Sequence, residues 1–288
     1  MIGAWRSVTR HNPRSVPPAK GDGGRARPSA GGMGDARARA SPPHECHSTA
    51  ASSRPAPAAT LPLRRAFPSP DLLAADRARA LQLTPVSRET AERLDRLLAL
   101  LLERQRTTNL IASSTIPQVW TRHVADSLQL VDLAPDARTW VDVGSGAGFP
   151  GLVIACALAG NGATVHLVES NGKKAAFLQE AQRVTESPAV VHRARMEDFA
   201  ETFAAPVDVV TARVVLPLKP LIIIAYPLLR KTGATALFPK GQNAELELAD
   251  ARESWAMKAT AAGSRTDPAG RILVLRDLAP RSHRKLAP

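Results

Sequence analysis

The chain has 288 residues and 30.6 kDa, with 38 Lys and Arg against 26 Asp and Glu and a formal net charge of +12, enough for one large domain or two small ones. Two cysteines, Cys46 and Cys156, are too few for a disulfide framework or a four-thiolate zinc site. The longest apolar stretch, Leu216 to Leu229, is broken by Lys219 and three prolines and falls short of the roughly 20 apolar residues that span a bilayer.

No apolar run follows the N-terminus, so no signal peptide is expected, and the default is a soluble cytoplasmic protein with no membrane association. Residues 1–70 carry a net +8 and hold 11 of the 24 prolines and 7 of the 18 glycines. Such a segment lacks the apolar surface to offset its ordering entropy, and a disordered basic arm is expected there. Its composition is also that of a transit peptide, or of a start assigned too far upstream. The cluster His44-Glu45-Cys46-His47 has no partner ligands at zinc spacing, so no metal is expected.

A helical region is expected over 71–135. The pattern predicts a short helix over Asp71–Leu83, then a second capped by Thr84 with Pro85 at its first position. Leu94, Leu97, Leu98, Leu101 and Leu102 recur on one face of it. A third helix is predicted over Pro117–Leu133, starting near Thr115 or Ile116.

Strands then alternate with helices over 136–280, before a basic tail at 281–288. Strands are predicted over Thr139–Val143, Thr164–Val168, Val190–His192, Val207–Thr211 and Ala234–Phe238. Helices are predicted over Phe149–Leu158, Lys173–Thr185 and Leu218–Leu229, with a late, antiparallel strand over Arg271–Asp277. The alternation predicts an α/β fold, a doubly wound and mostly parallel sheet covered on both faces.

The sharpest motif is Val141-Asp142-Val143-Gly144-Ser145-Gly146-Ala147-Gly148-Phe149-Pro150-Gly151, a glycine loop leaving a strand and opening a helix. Two ligand classes suit it, a dinucleotide and S-adenosylmethionine. Asp142 favours the second, because a carboxylate there repels a pyrophosphate and suits a cation. Glu169, ending the next strand, is placed to accept from ribose hydroxyls of either ligand. Roughly 70 residues of helical sequence precede the loop, whereas a dinucleotide unit usually opens its domain.

The chain resembles the RsmG (GidB) family of bacterial small-subunit rRNA guanine-N7 methyltransferases over residues 80–278. The blocks are Asn109-Leu110, Arg122-His123-Val124-Ala125-Asp126-Ser127, Val141–Gly151, Glu169-Ser170-Asn171-Gly172-Lys173-Lys174, Arg195-Met196-Glu197-Asp198-Phe199, Thr211-Ala212-Arg213 and Pro239-Lys240-Gly241-Gln242. Arg104 and Gln105 stand where the family usually has Trp and Asn, Thr108 where an aromatic or aliphatic residue is common, and Ala212 where Ser is usual. The resemblance implies a class I S-adenosylmethionine-dependent (Rossmann-like) fold and methylation of a guanine N7 in the 530-loop region of 16S rRNA. It implies cofactor contacts at Gly144, Phe149, Met196, Glu197 and Arg213, with Glu169 near the ribose and Met196-Glu197 near the adenine. Asp142 and Gly146 join this set from the loop itself.

Guanine N7 carries an in-plane lone pair, so no general base is required and none is nominated. Arg213 follows the fourth strand, where it either reaches guanine O6 or the cofactor loop, or pairs with Asp208 or Glu197. Arg122 and Asp126 are four apart, as are His123 and Ser127. Arg122 and His123 either line the substrate side of the pocket or form a surface pair and a structural histidine. Lys240, expected on the loop after the fifth strand, is a candidate RNA-phosphate contact. The expected partner is small-subunit ribosomal RNA or the assembling subunit, met by a monomer. Two other readings are a NAD(P)-dependent oxidoreductase, whose chemistry would need more than the single Tyr226, and a methyltransferase-fold RNA-binding adaptor without catalysis.

Overall fold

A computed structural model describes residues 67–213 and 216–281. The expected arm up to residue 66, the His44–His47 cluster and the tail from 282 lie outside them. Ser69 caps the first helix, α1 (Pro70–Leu83), by accepting from Leu72 N–H, with Pro70 at the first helical position. Thr84 closes this helix instead of opening the next: its N–H and hydroxyl both return to the Ala80 carbonyl. Pro85 drives the residue before it out of the helical region, and Ser87 caps α2 (Arg88–Arg104). Leu94, Leu97, Leu98 and Leu101 are buried on one face of α2, with Leu102 at the margin.

Arg104 and Gln105 have structural partners. Arg104 forks onto Glu180, and Gln105 accepts from Leu110 and Ile111 N–H while donating to Ile111 O.

The expected continuous helix over 117–133 is four short pieces. A 3-10 turn (Ser113–Gln118) meets a π-helical turn (Trp120–Ala125), which runs into α3 (Asp126–Leu128) and a second 3-10 turn (Val131–Leu133). Pro117 lacks a donor N–H. Three residues on, the buried Asp76 of α1 accepts from Trp120 N–H at 2.8 Å and Thr121 N–H at 3.3 Å, and from the Thr121 hydroxyl. A carboxylate 44 residues away in sequence therefore starts the turn that carries Arg122, His123 and Asp126.

The core is a seven-stranded sheet in the order β3-β2-β1-β4-β5-β7-β6. Its strands are β1 (Thr139–Val143), β2 (Thr164–Val168), β3 (Ala189–His192), β4 (Val209–Thr211), β5 (Thr235–Lys240), β6 (Trp255–Gly263) and β7 (Arg271–Pro280). The first five are parallel, while β7 runs antiparallel to β5 and β6 antiparallel to β7. The expected late antiparallel strand is β7. Between the strands lie α4 (Gly151–Ala157), α5 (Gly172–Thr185), α6 (Met196–Thr202), α7 (Leu218–Thr232) and α8 (Ala244–Ser254). One face packs α4, α5 and the leucine face of α2 around Trp140; the other packs α6, α7 and α8 around Phe238. Cys156 sits in the first layer as a packed thiol, pushed up to about 12 by burial.

Strand order reverses between β1 and β4, so the crevice outside their carboxyl ends is the place where an open α/β sheet takes a ligand. No helix among the described residues is long and apolar enough to cross a membrane.

Asp76→Ala leaves two buried N–H groups without an acceptor. We expect a loss of about 2 kcal/mol in urea unfolding; an unchanged midpoint would place the support of the 120–126 turn elsewhere.

Candidate functional site

Asp142, the fourth residue of β1, is fully buried under the glycine loop. Its Oδ2 accepts from Gly151 N–H at 3.1 Å, and its Oδ1 has no partner. A Cβ on Gly151 would lie 2.5 Å from Leu167 and 2.6 Å from Asp142, so only glycine lets α4 start this close to the sheet. Burial pushes the Asp142 carboxyl up to about 7.

Glu169 directly follows β2 and is also buried. Its Oε2 accepts from Gly146 N–H at 2.9 Å and its Oε1 from Asn171 N–H at 2.7 Å, tying the glycine loop to the β2–α5 loop. Gly144 N–H is held by the Val168 carbonyl. Gly146 has a positive φ of 57°, and a Cβ there would meet only Gly144 O at 3.8 Å, so this side of the loop is open. Met196 and Glu197 open α6 after β3, on the same edge, with Met196 buried and Glu197 exposed.

Phe149 lies at the end of the loop. The His123 ring stacks on it with centroids 4.8 Å apart and planes inclined by 28°. The Arg213 guanidinium lies over the same ring at 5.3 Å. Arg213 donates to Arg122 O at 2.9 Å and to Asp126 Oδ2 at 3.4 Å, and its Nη2 is 2.6 Å from His123 Nδ1. It therefore pairs with neither Asp208, which holds Arg138 and Thr139 N–H, nor Glu197, among its recorded contacts. Asp126, four residues from Arg122, gives its carboxylate to Arg213, Thr266 and Gln129 instead. Burial, then Arg213 and Arg122, push His123 down to about 3, so the ring is neutral at ordinary pH.

Lys240 differs from the expected open phosphate contact. It is the last residue of β5, its side chain is only 6% exposed, and its ammonium sits on Glu247 at 2.8 Å and on the Leu216 carbonyl. Glu247 also receives Leu218 N–H, so Lys240 secures the start of α7. The residue still borders a cavity of about 220 Å³ shared with Arg122, His123, Asp126, Arg213 and the Ser264–Gly270 turn.

The structure thus gathers Asp142, Gly144, Gly146, Phe149 and Glu169 at the glycine loop, and brings Arg122, His123 and Arg213 together around the cavity beside it, with His123 and Arg213 against Phe149. Sequence reasoning did not pick out Thr266, Gln129 or Asp76, whose contacts span 140, 135 and 44 residues. No local pattern marks them.

A family model described as rRNA small subunit methyltransferase G (GidB) matches residues 90–266. The chain is 56% identical over 205 residues to the Ribosomal RNA small subunit methyltransferase G of Bradyrhizobium sp. strain BTAi1, covering 71% of this chain and 92% of that one. The chain belongs to the GidB family. Its members from Bradyrhizobium diazoefficiens and Rhodopseudomonas palustris strain BisB18 are 58% and 60% identical, covering 68% and 65% of this chain and 75% and 80% of theirs. An O-methyltransferase from Bacillus cereus, solved in complex with SAH, is similar at 15% identity and a TM-score of 0.47, over 71% of this chain and 97% of that one. The GidB family comprises S-adenosylmethionine-dependent rRNA methyltransferases, and the sheet is of the class I methyltransferase type. Against the oxidoreductase reading, Tyr226 packs on Trp255 on the far layer, away from the glycine loop.

The residues present fit S-adenosylmethionine. The loop is open at Gly146, a carboxylate stands just after β2, and the buried Asp142 keeps one oxygen without a partner.

Asp142 also sets a pH signature. Its carboxyl moves from the usual 3.8 to about 7 on folding, so the folded chain binds the proton more tightly and stability falls as pH rises through that window. Asp142→Asn keeps an acceptor for Gly151 N–H and removes this slope. We expect the variant to gain more unfolding stability over the parent at pH 8 than at pH 5; an equal difference at both would contradict the burial cost.

Proposed function

We propose that the chain transfers a methyl group from S-adenosylmethionine to N7 of a guanine in 16S rRNA, using the two groups of residues that meet at Phe149. The observation that carries this reading is the contact of Arg213 and His123 with Phe149 at the end of the glycine loop. Bound S-adenosylmethionine supplies the electrophilic methyl group. Gly144, Gly146, Glu169, Met196 and Glu197 line the edge that would hold its nucleoside, with Glu169 already fixed by two backbone N–H groups.

The chain's own chemistry is positioning. N7 attacks with its lone pair, so no side chain must take a proton. Asp142, unpaired at Oδ1, favours a positive charge on the cofactor side. On the base side, Arg213 and Arg122 supply N–H donors suited to guanine O6 or to phosphate. His123 stays uncharged between them, which limits repulsion of the purine cation formed by N7 methylation. Lys240 acts here through Glu247 and the start of α7.

Residues 71–135 serve as the helical region that shapes the substrate side, and 136–280 as the methyltransferase core. The enzyme works as a cytoplasmic monomer on small-subunit RNA or the assembling particle.

Labelled S-adenosylmethionine is incubated with small-subunit RNA and particles from a strain lacking the enzyme, and N7-methylguanine is mapped by borohydride and aniline cleavage. Cleavage at one guanine is expected. Label at a base carbon or exocyclic nitrogen, or no label in either substrate, would overturn the reading.

A further inference from the structure

Thr115 lies in the 3-10 turn before the Arg122–His123 segment, borders the same cavity and meets the His123 ring. The direction of each hydrogen bond along this contact follows from which groups can donate. A guanidinium has no acceptor, so Arg213 Nη2 donates and His123 Nδ1 accepts across their 2.6 Å contact. In a neutral imidazole the proton then sits on Nε2. Nε2 is 2.9 Å from Thr115 Oγ1, and that hydroxyl gives its single proton to Ala112 O at 2.7 Å. The donors run one way, from Arg213 to His123 to Thr115 to the backbone. Stacking on Phe149 limits how the ring can turn to find another partner.

From this chain we infer that Thr115 is a positioning residue: by accepting from Nε2–H it holds His123 in the one tautomer that leaves Nδ1 free to accept from Arg213, and so keeps Arg213 over Phe149 at the mouth of the glycine loop. The other tautomer would set an N–H against the guanidinium N–H and leave Nε2 bare toward a hydroxyl already committed to Ala112. The effect on methylation rests on the function proposed above; the tautomer does not. The charged groups facing the ring are Arg122 and Asp126 on its own segment, Arg213 from the end of β4, and Lys240, Asp267 and Arg271 around the shared cavity. The two arginines nearest it oppose protonation, in line with the ring's low pKa.

The test uses the full-length protein labelled with ¹⁵N, with long-range ¹H–¹⁵N spectra of the ring nitrogens from about pH 5.5 to pH 8. His123 is assigned by the loss of its signals in His123→Gln. Parent and Thr115→Ser are expected to show an Nε2–H ring that does not titrate in this range. Thr115→Val is expected to show mixed tautomers and still no titration in this range, because burial and the two arginines that oppose protonation remain. Its methylation of small-subunit RNA should fall about tenfold, by a similar factor at pH 6 and pH 8, with Thr115→Ser recovering the rate. An Nδ1–H ring in the parent, or a parent-like spectrum in Thr115→Val, overturns the inference. An Nε2–H ring in a parent protein that methylates no RNA supports the tautomer and contradicts the proposed function instead.

Discussion

One partly buried cation joins the two halves of this site. Arg213 leaves β4 at the point where strand order reverses, and its side chain, 21% exposed, is largely removed from water. A guanidinium there must find its hydrogen bonds inside the protein. It finds them on the helical region, at Arg122 O, His123 Nδ1 and Asp126, with its face on Phe149 of the glycine loop. The helical region is thereby fixed against the sheet edge by a charge whose desolvation would be uncompensated without it. Asp126 extends the connection outward through Thr266 to the β6–β7 turn.

Two buried carboxylates do complementary work beneath the loop. Asp142 holds the first N–H of α4, and Glu169 holds the loop's middle N–H. Both lie at strand ends, so the loop's shape is set by the sheet before any ligand arrives, which lowers the ordering cost of binding. Asp142 carries a burial cost that a cation nearby would relieve. The absence of a side chain at Gly151 and Gly146 serves different ends, close packing at the first and an open surface at the second.

The sheet was legible in the sequence because buried parallel strands read as short apolar runs between glycine and polar punctuation. Thr139–Val143 and Thr164–Val168 match to the residue. The helices α6 and α8 and the strand β6 were not read. Strand β6, Trp-Ala-Met-Lys-Ala-Thr-Ala-Ala-Gly, is rich in alanine, and its extended form comes from pairing with β7. The helical spacing over 117–133 was real, but Pro117 and the distant Asp76 carboxylate divide it. The cofactor side of the site was legible because its residues lie within a few positions of strand ends. The substrate side was legible only in part. Lys240 reads as a free cation, and only the fold brings Glu247 to it. For Arg213 the sequence offers guanine O6, the cofactor loop, or the nearby acids Asp208 and Glu197, whereas the carboxylate it meets is 87 residues away.

Everything assigned to this site requires that the glycine loop hold a sulfonium nucleoside. Calorimetric titration of the full chain with S-adenosylmethionine, S-adenosylhomocysteine and NADH measures that directly. Saturable heat with the first two ligands and none with NADH is the predicted result. Binding of NADH with neither sulfur nucleoside taken up would contradict it.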